Sequence, residues 1–200
     1  MTSLNTVAPA PRRRESSRLA ILDAALALCR EEGYARLSIE GIAARAGVGK
    51  ATIYRWWPSK GAVLLEALDR EAAAVTAFPD TGDLVADMRT TFNDVIRFHA
   101  SPDTGPAFAA LIAEAQQDPA LGPLLLEHFF RPRRAPIVQR LRQAQRAGQL
   151  PETLDVEAVL EVIFGALFHR LLLRSGPLDA AYANFVVDTV FAGTSAVQPT

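Results

Sequence analysis

The chain has 200 residues, half of them hydrophobic, enough for one sizeable domain or a small module joined to a larger one. Its single cysteine, Cys29, excludes an intramolecular disulfide, no apolar run approaches the ~18–20 residues of a membrane span, and the N-terminus lacks the charge order of a secretory signal; the composition reads as soluble and cytoplasmic, with no membrane partner. The formal charge of −1 hides an asymmetry: residues 1–65 carry ten Arg and Lys against five Asp and Glu, the remainder eleven against seventeen, as expected where only the first third meets a polyanion.

Residues 1–15, with Arg12, Arg13 and Arg14 near their end, predict an irregular basic arm. From Ser16 the pattern turns helical: Ile21, Leu22, Ala25, Leu28 and Cys29 recur at three- and four-residue steps, and Gly33 stops the helix. Ser38 is a good N-cap for a short second helix that reaches Ala46 and breaks at Gly47. A third helix is predicted over about 50–57, ended by Pro58, and Ser59 caps a fourth running towards Val75. Beyond Asp80, helices are predicted near 83–100, 104–117, 120–131, 133–147, 155–174 and 178–193, separated by Pro- and Gly-containing breaks. The class is all-α: a helix-turn-helix head over residues 16–63 on a larger helical body over 64–200.

Two short helices joined by a Gly-containing turn, with a third before them, form the helix-turn-helix pattern. At 100° per residue, Lys50, Ala51, Tyr54 and Arg55 share an arc of about 140° on the third helix, while Ile53 and Trp57 face the core and Thr52 and Trp56 flank them. A cationic face with a Tyr hydroxyl and a small Ala suits a major groove edged by phosphates. Lys50 and Lys60, the chain's two lysines, each open a predicted helix, where the macrodipole disfavours a cation by roughly 0.3–1 kcal/mol. The expectation is that bound DNA accounts for that placement.

The run "ILDAALAL", "EGY", "IAARAGV", "TIY" and "WPSK", in that order over about fifty residues, resembles the DNA-binding head of the TetR family of bacterial transcriptional regulators. The resemblance implies that Ser38, Tyr54 and Lys60 contact phosphate, that Lys50, Ala51 and Thr52 meet base edges, and that Trp57 is the core aromatic. Arg55 and Trp56 complete the candidate DNA-binding set, double-stranded operator DNA being the implied partner. Gly49 stands where the family often has Ser, and Trp56 where His, Tyr or Arg is common.

The body resembles one TetR subgroup through "AEAQQDPAL", "RPRRAP", "RAGQLP" and "GALFHRLL". This implies a homodimer joined through the last two helices, with Val159, Val162, Ala166, Tyr182, Phe185 and Val186 at the interface. It also implies a small-molecule effector, for which the candidate lining residues are Phe92, Ile96, His99, Phe108, Ile112, His128, Phe129, Phe164 and Phe168: many apolar groups, few polar. The three His lack close metal-ligand spacing, so no metal or other cofactor is expected. No Gly-rich phosphate loop, nucleophile elbow or zinc signature appears, which argues against an enzyme; a helical adaptor with a vestigial head is the other competing reading. The leading expectation is a repressor that binds a pseudo-palindromic operator as a dimer and leaves it when a small apolar ligand binds.

Overall fold

The computed structural model describes residues 11–73 and 78–196, and among these every regular element is helical. Helix α1 (Pro11–Glu32) is followed by a tight turn over Tyr34–Arg36. Then come α2 (Ile39–Ala46), α3 (Lys50–Tyr54) and α4 (Lys60–Ala73). The body holds α5 (Leu84–Ala100), α6 (Gly105–Ala115), α7 (Leu121–Leu125), α8 (Arg131–Arg146), α9 (Val156–Leu173) and α10 (Ala180–Ala196).

Helix α1 starts five residues ahead of Ser16, so residues 11–15, expected in the irregular arm, belong to the helix. Pro11 fits its first turn, where no intrahelical N–H is required, and Glu15 pairs with Arg18 one turn on. The arm expected over residues 1–10 lies outside the described residues. Gly33 (φ +81°) ends α1, as its place in the sequence anticipates. Ser38 accepts a hydrogen bond from the Gly41 N–H and caps α2, and Gly47 (φ +66°) closes it in the left-handed conformation that glycine adopts without strain.

The largest departure lies between residues 121 and 146. Two separate helices are predicted there, yet α7 runs into α8 through a π-helical turn over Leu126–Phe130. The Arg131 N–H reaches back five residues to the Leu126 carbonyl, which opens the ladder just before Pro132. Arg133 then donates from its side chain to the Phe129 carbonyl at 2.9 Å. The proline that signals a break thus sits at a widened turn instead.

Two apolar cores result. The first runs from α1, α2 and α3 through α4 into α6, the π turn and Phe98 of α5. The second joins α5, α8, α9 and α10. The α5–α6 corner is tight: Thr104 donates its hydroxyl hydrogen to the Phe98 carbonyl, and a Cβ added at Gly105 would stand 2.1 Å from the His99 carbonyl oxygen. Backbone, not a movable side chain, occupies that space. Gly105→Ala is therefore expected to destabilise the fold by about 1–3 kcal/mol, read as a lower denaturant midpoint with unchanged slope.

Candidate nucleic-acid interface and body cavity

Helix α3 is held by what it buries. Ile53 is fully buried and Trp57 nearly so, and the Trp57 indole N–H donates to Glu66 of α4 at 2.7 Å. Glu66 also pairs with Arg18 of α1, so one carboxylate ties the end of the recognition segment to both long helices of the head. Trp56 is half-buried, edge-on to Trp57 at 5.3 Å, and packs against the head core. Outward, Lys50, Ala51, Tyr54 and Arg55 are exposed, Tyr54 by 56 %, and Thr52 is half-buried. Tyr54 carries its ring in solvent with no apolar neighbour to explain it.

The two lysines have partners within the chain. Lys50 Nζ lies 2.9 Å from a Glu40 carboxylate oxygen in the first turn of α2, an exposed ion pair that raises the lysine pKa. Lys60 Nζ donates to the Tyr34 carbonyl at 3.2 Å and sits 4.4 Å from the Tyr34 ring centroid. DNA is thus not needed to explain why a cation opens each helix, and the sequence argument from the macrodipole loses its force. Lys50 remains exposed; Lys60 is half-buried and splices the head to the turn before α2. Glu40 beside Lys50 is the neighbour that sequence reasoning passed over, although ten residues of separation across a helix-turn-helix bring the two first turns together.

A second concavity of about 470 Å³ lies in the body, at the seam of the two cores. Phe98 and Phe129 line it from the first core, Ile137, Leu160 and Leu167 from the second. Of the residues anticipated from sequence, His99, Phe129, Phe164 and Phe168 line this cavity. Phe92 and Ile96 do not; they are buried in the second core. On α5 the lining residues are Thr91, Val95, Phe98 and His99, so the face expected through Phe92 and Ile96 is off by one residue, or about 100°, everywhere but at His99. Phe108 stands behind His99 with ring centroids 4.7 Å apart, Ile112 packs on the first core, and His128 is exposed. Phe130, Leu126 and Arg133 were missed because they arrive on the π turn and the start of α8, which no periodicity signals.

His99 Nδ1 lies 2.8 Å from the Val95 carbonyl, and burial drives its pKa down from 6.5 to about 4. Arg133 stacks over the Phe129 ring at 4.1 Å and binds Asp69 near the C-terminal end of α4, through the carboxylate at 2.7 Å and the carbonyl at 2.9 Å. One cavity residue is thus anchored to the helix that carries the head.

The residues anticipated for a dimer interface divide. Val159 and Val186 are buried within the chain, while Ala166 and Tyr182 are half-buried and joined by a hydrogen bond from the Tyr182 hydroxyl to the Ala166 carbonyl. Val162 and Phe185 are 60 % and 65 % exposed. Val162 and Leu173 fall within about 20° on α9 and form with Phe185 an apolar face that no described residue covers. Cys29 is buried and its thiol pKa pushed up, which leaves it unreactive. Among the described residues no helix is long and apolar enough to cross a membrane.

The depressed His99 pKa has a sign that can be measured. Unfolded, the imidazole takes a proton below pH 6.5; folded, only near pH 4, so stability contributed at neutral pH is lost on acidification between those values. The stability of the wild type relative to His99→Leu is expected to fall by roughly 3 kcal/mol between pH 7 and pH 4, measured by urea unfolding.

Comparison with known proteins agrees with this geometry. Residues 21–67 match the family described as "Bacterial regulatory proteins, tetR family", and residues 78–190 match "Tetracyclin repressor-like, C-terminal domain". The HTH-type transcriptional regulator YdeS of Bacillus subtilis is 35 % identical over 188 residues, 94 % of each chain. The DNA-binding transcriptional repressor TetR of Mycobacteroides abscessus is 32 % identical over 179 residues, 89 % of this chain and 93 % of that one. The crystal structure of the TetR family transcription regulator SCO0332 superposes with a TM-score of 0.75 at 34 % identity, covering 92 % of this chain and all of that one.

Proposed function

This chain belongs to the TetR family of bacterial helix-turn-helix transcriptional regulators, and we propose that it represses transcription as a homodimer on a pseudo-palindromic operator, from which a small apolar ligand in the body cavity releases it. The observation that carries the DNA reading is the outward face of α3, where Ala51, Tyr54 and Arg55 are exposed over a buried Ile53 and Trp57. A helix fixed from behind and bare in front can lay its first turn on base edges, while Ser38 at the α2 cap and Lys60 at the start of α4 reach phosphates on either side. The Ser38 oxygen is occupied as an acceptor by the cap, which leaves its hydrogen free to donate to phosphate. Trp56 serves to pack the end of α3 on the head.

The dimer reading rests on the uncovered face of α9 and α10. A second copy of the same face would bury Val162, Leu173 and Phe185 and hold two recognition helices about 34–36 Å apart, one turn of DNA. A Cβ added at exposed Gly165 would meet no described residue within 4 Å, so a partner helix can approach closely there.

Release follows from where the cavity lies. A ligand against Phe129 and Arg133 bears on the Arg133–Asp69 bond and hence on α4, which carries the head. A dimer favoured by ligand then presents the two heads at a spacing the operator does not match.

Fluorescence anisotropy with the DNA upstream of the chain's own gene tests the reading. Tight, salt-dependent binding by the dimer is expected, and a folded dimer that fails to bind at low salt would sink it. Arg55→Ala is expected to weaken all sequences alike and to reduce the log–log salt slope by about one, whereas Thr52→Ala changes base preference within the half-site. Val162→Asp with Phe185→Glu is expected to yield a folded monomer by sedimentation, with operator affinity at least about a hundred-fold weaker.

A further inference from the structure

The body cavity is lined almost entirely by carbon, and its few polar atoms are specific about what they accept. His99 projects into it from α5, buried, with Nδ1 2.8 Å from the Val95 carbonyl. A carbonyl only accepts, so Nδ1 carries the hydrogen and Nε2 keeps a bare lone pair. That Nε2 is buried and has no hydrogen-bond partner among the described residues. Edge-on rings of Phe98, Phe108 and Phe168, at 5.0, 4.7 and 6.2 Å between centroids, hold the imidazole in place. A buried, fixed acceptor without a donor is costly, and a buried polar atom of this kind calls for a partner.

Charge narrows the class of partner. Among the described residues no carboxylate lines the cavity, so a cation finds no counter-charge there. The two cations that reach it are already neutralised, Arg133 by Asp69 at 2.7 Å and Arg134 by Glu157 at 2.7 Å and Glu161 at 3.5 Å. An anion would add unbalanced charge beside pairs that already balance, while the buried Arg134 Nε–H, without a partner among the described residues, can still donate to a neutral acceptor atom. Burial also keeps the imidazole uncharged at neutral pH. Shape narrows it further: Phe98, Phe129, Phe130, Phe164 and Phe168 converge on one space, several of them edge-to-face with one another, the arrangement that receives a flat aromatic guest.

We propose that the cavity takes an uncharged aromatic molecule bearing a hydroxyl group, and that this hydroxyl donates its hydrogen bond to His99 Nε2. At the other end of the α5 face, two turns away, the Thr91 hydroxyl is another buried polar atom without a partner among the described residues, open to a second polar group where the guest carries one. The proposal rests on the reading of this cavity as the effector site and names the chemistry that site selects.

Three probes of one shape decide it: para-phenylphenol, its methyl ether and para-phenylbenzoate, titrated calorimetrically into the full-length dimer at pH 7.5. The phenol is expected to bind at least about ten-fold more tightly than either of the others, because only it is neutral and can donate. His99→Leu should erase the gap between phenol and ether, and His99→Gln, which keeps an acceptor oxygen, should restore part of it. If a variant fails to fold, the wild-type ranking stands as the test. Equal binding of phenol and ether, tightest binding of the benzoate, or no binding of any probe overturns the assignment of His99. A phenol that binds through His99 yet leaves operator affinity unchanged upholds the assignment and overturns the effector reading instead.

Discussion

Helix α4 is the element on which the rest depends. Residues 61–65 are buried without interruption, so its first turns have no solvent face at all. They are clamped between α1 on one side and α6 and α7 on the other, which makes the head and the near half of the body one packed unit. Dense cores shift between discrete arrangements and do not deform smoothly. A change at the cavity wall therefore has a short mechanical route to α3: through Arg133 and Asp69 at one end of α4, and through Glu66 and Trp57 along its length.

The same packing explains the place of the cavity. The cavity lies at the seam of the two cores, where side chains from both leave space unfilled. The π turn contributes by spacing Leu126, Phe129 and Phe130 more widely than an α-helix allows, and rings from α5 and α9 close the opposite wall. The exposed surfaces fit the proposed reading: the outward face of α3 is open to DNA, and the outer face of α9 and α10 is open to a second copy.

The head could be read from its residues because its signals are local. Ser38, Gly47 and Ser59 each act within three or four residues, and the burial of Ile53 and Trp57 follows from their spacing. The body was harder, for reasons that lie in particular positions. On α5 the cavity face and the core face both present apolar residues, so periodicity gives no phase and points to Phe92 and Ile96 where Thr91 and Val95 line the cavity. Pro132 reads as a helix break, and only the Arg131-to-Leu126 hydrogen bond shows that the chain continues. The placement of Lys50 and Lys60 seemed to require DNA because neither Glu40 nor Tyr34 is close in sequence. Which half of the α9 stripe faces outward depends on α10, whose approach no single helix encodes.

The head shares its core with one wall of the cavity, which gives a change at either a packed path to the other. Thermodynamic reciprocity makes this measurable without knowing the effector. Amide hydrogen exchange of the dimer, with and without the operator duplex, would follow both regions at once. DNA is expected to slow exchange in α2 and α3 and also to alter it around Phe98 and His99 and along the π turn before Arg133. Protection confined to α2 and α3, with the cavity walls unchanged, would show that the two sites are independent.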